Sequence, residues 1–141
     1  MVTDFLLDTN VVSALRVPHR QDEVFRQWQR GVNLERCYIS VLSRMELRTG
    51  ILMKLRTDAD QGKILDAWYQ EVVKVFWPRT LPFGDREAEV CAPLRLLRTR
   101  GSIDTLIAAT ALVRGMTLVT RNVRDFEDIP ALAVLNPWEA T

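Results

Sequence analysis

Histidine is nearly absent from this chain: 141 residues contain one, His19. That excludes a histidine-rich metal centre, and a lone histidine following Pro18 in a loop is a poor general base. Cysteine is scarce too. Cys37 and Cys91 lie far apart among apolar neighbours, which excludes a disulfide framework or a zinc cluster and reads as two buried thiols. Any hydrolytic chemistry must then rest on carboxylates, a metal or a cysteine. No uncharged apolar run approaches membrane-spanning length, so no membrane is expected. Asp4 and Asp8 interrupt the first apolar stretch, which therefore does not read as a leader, and the expected location is cytoplasmic. Charge of one sign is lacking as well. The net charge is +1, so the protein is not held to nucleic acid by overall charge. The charge is unevenly spread, however: Arg95 to Arg124 holds six arginines and one acid, Asp104. Such a stretch is either a solvated face or a phosphate contact.

With 48% hydrophobic and 26% charged residues, the composition is that of an ordinary globular domain, and residues 1–141 read as one domain with one core. There is no internal repeat and no low-complexity segment. The stretch that organises the rest is Gly101 to Phe126. Ile103, Leu106, Ile107, Ala111 and Leu112 recur at helical spacing behind Asp104, and Gly115 closes that helix. Met116 to Thr120 then reads as a buried strand, followed by a polar loop ending at Asp125. The start of the chain repeats the arrangement, with a strand over Val2 to Leu7 that ends at Asp8, Thr9 and Asn10.

Between these ends the pattern predicts short helices over Asn10–Leu15, capped by Asp8 or Thr9, and over Asp22–Arg30. A strand follows at Cys37–Ser40 and a helix at Val41–Leu55, where Ser43 and Glu46 have capping-box spacing. Thr57–Gly62 reads as a polar connection. Beyond it come a helix at Lys63–Val73, a short edge strand near Trp77–Leu81, and a helix from an Asp85 cap to Arg98, kinked or split at Pro93. Arg100 to Ser102 is a tight link into the Asp104 helix, and a last strand occupies Leu132–Leu135. The sum is a three-layer α/β/α domain with a mostly parallel central sheet.

Four acids, Asp8, Glu46, Asp104 and Asp125, follow strands or open helices in this scheme. Singly, each has a bland role as cap, turn former or surface acid. Together they would stand at the carboxyl ends of parallel strands, where ligands gather in open α/β sheets. Clustered carboxylates raise one another's pKa values, and a cation removes that cost. Oxygen ligands suit hard ions, Mg2+ first and Mn2+ as a substitute.

The chain resembles the PIN-domain family and, within it, the VapC-like toxins of bacterial toxin–antitoxin pairs. Five segments carry the resemblance in order: LLDTNVVSAL at 6–15, SRMELRTGI at 43–51, DTLIAATA at 104–111, LVTRNVRDF at 118–126 and LNPW at 135–138. The resemblance implies an Mg2+-dependent ribonuclease. Its acidic site residues fall on Asp8, Glu46, Asp104 and Asp125, with Thr9 and Asn122 supporting them. It also implies a homodimer, which the apolar Trp68 and Tyr69 region would suit, and a cognate antitoxin that blocks the active edge and carries the only link to operator DNA. Arg16, Arg121 and Arg124 are candidate contacts to the RNA backbone. The link before Asp104 is shorter than is common in the family, which bears on the rim of the cleft. Two other readings stand beside this one. A phosphohydrolase acting on small phosphoesters through an aspartyl phosphate often has a second Asp two residues after the first, and here that position is Asn10. A regulatory partner of a DNA-binding antitoxin would need no catalysis.

Overall fold

Five short apolar segments pair into one sheet: Phe5–Leu7 (β1), Cys37–Ser40 (β2), Thr80–Leu81 (β3), Thr117–Val119 (β4) and Val134–Leu135 (β5). The structure, a computed structural model, describes residues 3–97 and 102–140. The strand order is β3-β2-β1-β4-β5, and every pairing is parallel. Parallel strands need crossovers. Helices Thr9–Arg16 (α1), Glu23–Gly31 (α2), Val41–Thr57 (α3), Ala59–Phe76 (α4), Asp85–Leu94 (α5) and Ser102–Arg114 (α6) supply those from β1 to β4, and β4 reaches β5 through the 3-10 turn Val123–Asp125.

Side chains alternate across a strand, and the alternation here builds two cores. Leu7 and Val119 pack with Val11, Phe25, Ile51, Tyr69 and Val72 beneath α1 to α4. Leu6 and Leu118 pack with Cys91, Leu94, Ile107 and Ala108 beneath α5 and α6. The result is the expected α/β/α sandwich. Among the described residues, no helix is long and apolar enough to cross a membrane.

Several local expectations are corrected. The first strand is three residues, Phe5–Leu7, and Val2 lies outside the described residues. Thr57–Gly62 is not a loop. Asp58 alone separates α3 from α4: its backbone N–H closes α3 on Lys54 O, and its carboxylate accepts from Gln61 N–H at 3.2 Å. Gly62 is where the two helices cross closely, since a Cβ there would stand 2.9 Å from Leu55 Cα. Asp85 is the first residue of α5 rather than its cap. Gly84 holds that position, and its N–H donates to the Glu87 carboxylate at 3.3 Å. Pro93 falls in the last turn of α5, so the helix stops at Leu94 instead of continuing to Arg98. The link at 98–101 lies outside the described residues. The last strand shortens to Val134–Leu135.

Two further features concern the surface. Tyr69 is buried in the core, while half-buried Trp68 lines an open apolar cleft with Leu15, Trp28, Val72 and Val75. Exposed apolar side chains lie on α3, at Val41, Met45 and Leu52, and on α4, at Ile64 and Val75. The arginines of the Arg95–Arg124 stretch are not all on one face. Arg114 ends α6 at the foot of β4 and faces Glu87 at 3.9 Å, whereas Arg121 and Arg124 follow β4 at the opposite end.

Candidate active site

The strand order reverses between β1 and β4, and the crevice beyond their carboxyl ends is the topological switch point, where open α/β sheets hold their ligands. The register pairs Leu7 with Val119. It therefore brings the next residues, Asp8 and Thr120, side by side, and Asp8 N–H donates to Val119 O at 2.9 Å.

Asp8 is 5% exposed. Its Oδ2 accepts from the Thr120 hydroxyl at 2.7 Å and from Asn10 Nδ2 at 3.3 Å, and its Oδ1 accepts from Thr9 N–H at 2.8 Å as the cap of α1. Thr120 Oγ1 also accepts Asn122 N–H at 3.1 Å and Asn10 Nδ2 at 3.4 Å. Both of those partners are N–H donors, so the hydroxyl proton goes to Asp8. Burial pushes the Asp8 carboxyl above its ordinary range; the hydrogen bonds from Thr120, Thr9 and Asn10 oppose that shift, and the Glu46 charge adds to it.

Glu46 reaches the same edge from α3. The expected Ser43–Glu46 capping box does not form, because Ser40 caps α3 by accepting Leu42 N–H at 3.0 Å. Ser43 and Glu46 are left to face α1. Thr9 Oγ1 lies 2.7 Å from Glu46 Oε1 and 2.9 Å from Ser43 Oγ. The Thr9 hydroxyl has one proton and a carboxylate oxygen accepts, so Thr9 donates to Glu46 and accepts from the Ser43 hydroxyl. One residue of α1 thus ties β1 to α3. Thr9, Glu46 and Arg16 line a cleft of about 420 Å³ that opens beside them.

The other two acids reach this edge through the topology. α6 leads into β4, which lies parallel to β1, so the first turn of α6, with Asp104, stands at the carboxyl ends of the strands. Asp125 ends the 3-10 turn Val123–Asp125 that follows β4. Among the described residues, no three His, Cys, Asp or Glu side chains form a group that could hold a metal ion. Hydrogen bonds gather Asp8, Thr9 and Glu46; Asp104 and Asp125 share their edge. Asn122 contributes its backbone N–H to Thr120, not its side chain. Sequence reasoning passed over Ser43 and Thr120. The signal for Thr120 was its place after β4, matching that of Asp8 after β1, but the register had to be known to use it.

The donor chemistry suits a hard divalent ion. Asp8, Glu46, Asp104 and Asp125 offer only oxygen, with the hydroxyls of Thr9, Ser43 and Thr120 around them. Asp8 is a buried carboxylate whose charge a cation would stabilise. Burial lifts the Cys37 thiol to about 11, which disfavours the thiolate a nucleophile needs, and Cys91 is buried in the core beneath α5 and α6.

A parallel sheet with acids at its switch point is the architecture of a known class, and the PIN domain family matches residues 5–132. The chain belongs to the PIN-domain family. Within it the chain is similar to VapC/FitB-like toxins of type II toxin–antitoxin pairs. Toxin FitB of Neisseria gonorrhoeae is 33% identical over 138 residues, covering 94% of this chain and 97% of that protein. Ribonuclease VapC1 of Rickettsia felis is 34% identical over 135 residues, covering 92% and 93%. The solved structure of FitAB bound to the IR36 DNA fragment superposes with a TM-score of 0.84 at 30% identity, covering 97% of each chain.

Proposed function

We propose that this chain is the toxin of a toxin–antitoxin pair and an Mg2+-dependent endoribonuclease, with residues 1–141 as one catalytic domain acting in the cytoplasm. The observation that carries the reading is Asp8, buried at the switch point and tied to Thr120, beside a Glu46 held by Thr9. The toxin and ribonuclease among its relatives support it.

Asp8, Asp104 and Asp125 would hold Mg2+, or Mn2+ in its place, with Glu46 as a further ligand or an orienter of water. Bound there, the ion would activate water and offset charge on the scissile phosphate. The protein's share is to keep Asp8 ionised and immobile through Thr120, Asn10 and Thr9 N–H, and to aim Glu46 through Thr9. Arg16, Arg121 and Arg124 steady the phosphate backbone. In-line attack leaves a 5′-phosphate and a 3′-hydroxyl, and single-stranded or looped RNA is the accessible form. Asn10 disfavours the phosphoester alternative: its amide is spent on Asp8, Thr120 and Arg121 N–H, and no second acid stands there. Cleavage of an RNA oligomer without turnover of a chromogenic phosphomonoester is the expected result, and the reverse would sink this reading.

Asp8 also gives a dependence on pH. A carboxyl raised in the folded state costs stability when ionised, and the cost disappears as pH falls through the raised pKa toward the ordinary value of 3.8. Mg2+ relieves that cost only while Asp8 is ionised. Saturating Mg2+ should therefore raise Tm at neutral pH by roughly 5–10 °C, and the gain should shrink on acidification before the ordinary carboxylate range is reached. A thermal shift series with and without Mg2+ measures it, and a gain that does not change with pH would remove Asp8 from the ligand set.

The partners follow from the same reading. A second copy would cover the exposed Val41, Met45 and Leu52 stripe, making a homodimer, and a monomer at micromolar concentration in sedimentation would count against it. The cognate antitoxin would block the acidic edge and supply any contact with operator DNA; FitAB, a complex that contains a similar chain, is bound to a DNA fragment.

A further inference from the structure

The sequence motif Leu135–Trp138 has no role in the site described so far, yet the structure ties it to the loop that leaves β4. Arg121 follows Thr120, the residue whose hydroxyl holds Asp8. Its backbone is pinned at both ends: its N–H donates to Asn10 Oδ1 at 3.2 Å, and its carbonyl accepts from Asn136 Nδ2 at 3.4 Å. The same Asn136 accepts Trp138 N–H at 2.9 Å through Oδ1. Trp138 in turn donates its indole N–H to Gln21 at 3.0 Å and stacks on the fully buried Phe25, with centroids 4.5 Å apart and planes at 27°. The Arg121 guanidinium lies over that indole ring, 4.7 Å from its centroid.

A column thus rises from the core: Phe25, Trp138, Arg121. Stacking uses the face of a guanidinium and leaves its N–H donors, which lie in the plane, pointing outward. Arg121 is exposed, and no carboxylate among the described residues forms an ion pair with it, unlike Arg48, which is held by Asp66 at 2.6 Å. An arginine with a fixed backbone, a supported face and open donors loses little freedom when a phosphate docks.

We infer that Arg121 is a preorganised contact to the RNA phosphate backbone and that Trp138, held by Asn136, is its positioning residue. The inference rests on the ribonuclease reading above. It assigns the C-terminal segment a part in substrate binding beyond closing the fold.

The test uses the full chain with a fluorescein-labelled, mixed-sequence single-stranded RNA oligomer and the variants Arg121→Gln, Trp138→Leu, Trp138→Phe and Arg121→Gln/Trp138→Leu. Arg121→Gln should raise KM about tenfold with kcat little changed, and should reduce the salt dependence of binding by about one phosphate contact. Trp138→Leu should shift KM and the salt slope in the same direction, and Trp138→Phe, which keeps a ring under the guanidinium, should recover most of the loss. The double variant should be no worse than Arg121→Gln. Thermal denaturation of each variant separates folding from binding, because a purely structural Trp138 would lower Tm without moving the salt slope. If the wild type cuts RNA while Arg121→Gln keeps its KM, or if the two losses multiply in the double variant, the inference falls and the ribonuclease reading stands. If the folded wild type neither binds nor cuts RNA, both fall.

Discussion

Asp8→Asn is expected to slow RNA cleavage by about 10³-fold or more while the fold persists. Several kcal/mol of transition-state stabilisation come from a divalent ion at a phosphate, and each 1.4 kcal/mol is roughly tenfold in rate. Asp8 is closely held: two side chains and one backbone N–H fix its two oxygens. An amide in its place removes the negative charge and sets an NH2 group against donors. The measurement is single-turnover cleavage of one RNA oligomer by wild type and variant, with Tm recorded for both. A variant that keeps more than about a tenth of the wild-type rate would mean that Asp8 caps α1 and does little else.

Phe25→Ala is expected to have the largest effect on stability. Phe25 has no exposed surface, stacks on Trp138 and lies at 5.7 Å and 45° to Trp28. Truncating a fully buried Phe costs about 3–5 kcal/mol. Whole domains have only about 5–15 kcal/mol in hand. For a chain of this size the loss corresponds to a Tm lower by roughly 10 °C. Denaturant titration at constant m-value would check it, and a loss below about 1 kcal/mol would mean that α2 and the C-terminal segment close the core by other contacts. The substitution also removes the support of Trp138, so RNA affinity should weaken at temperatures where the variant is still folded.

Elements whose signals are local were legible in the sequence. Cys37–Ser40 stands where its β-branched and aromatic pattern put it, and α1 begins beside the Asp8 cap. Gly115 ends α6 with φ +64°, a backbone that glycine adopts freely. The failures have a common physical source, which is contact between residues far apart in the chain. Thr57–Gly62 is polar enough for a loop, but Asp58 can end one helix and start the next, and Gly62 lets them pack. Ser43 and Glu46 have the spacing of a cap, but Ser40 takes that role and frees both to meet Thr9, more than thirty residues away. Trp68 and Tyr69 divide between cleft and core, because aromatic residues serve both and only packing decides which. The four acids could be singled out as candidates because each sits beside a strand end or helix start. The hydroxyls around them were not, because Thr120, which holds Asp8, and Ser43, which bonds Thr9, find their partners on other strands and helices. Asn136 and Trp138 were visible as a motif, and only their contacts with Arg121 and Phe25 give it a use.

The most direct test of the account is cleavage of total cellular RNA by the purified, antitoxin-free protein, with Mg2+ and with EDTA, followed by mapping of the fragment ends. The account predicts discrete fragments with 5′-phosphate and 3′-hydroxyl ends that appear with Mg2+ and vanish with EDTA. Fragments that persist in EDTA, or intact RNA with folded protein in saturating Mg2+, would contradict it.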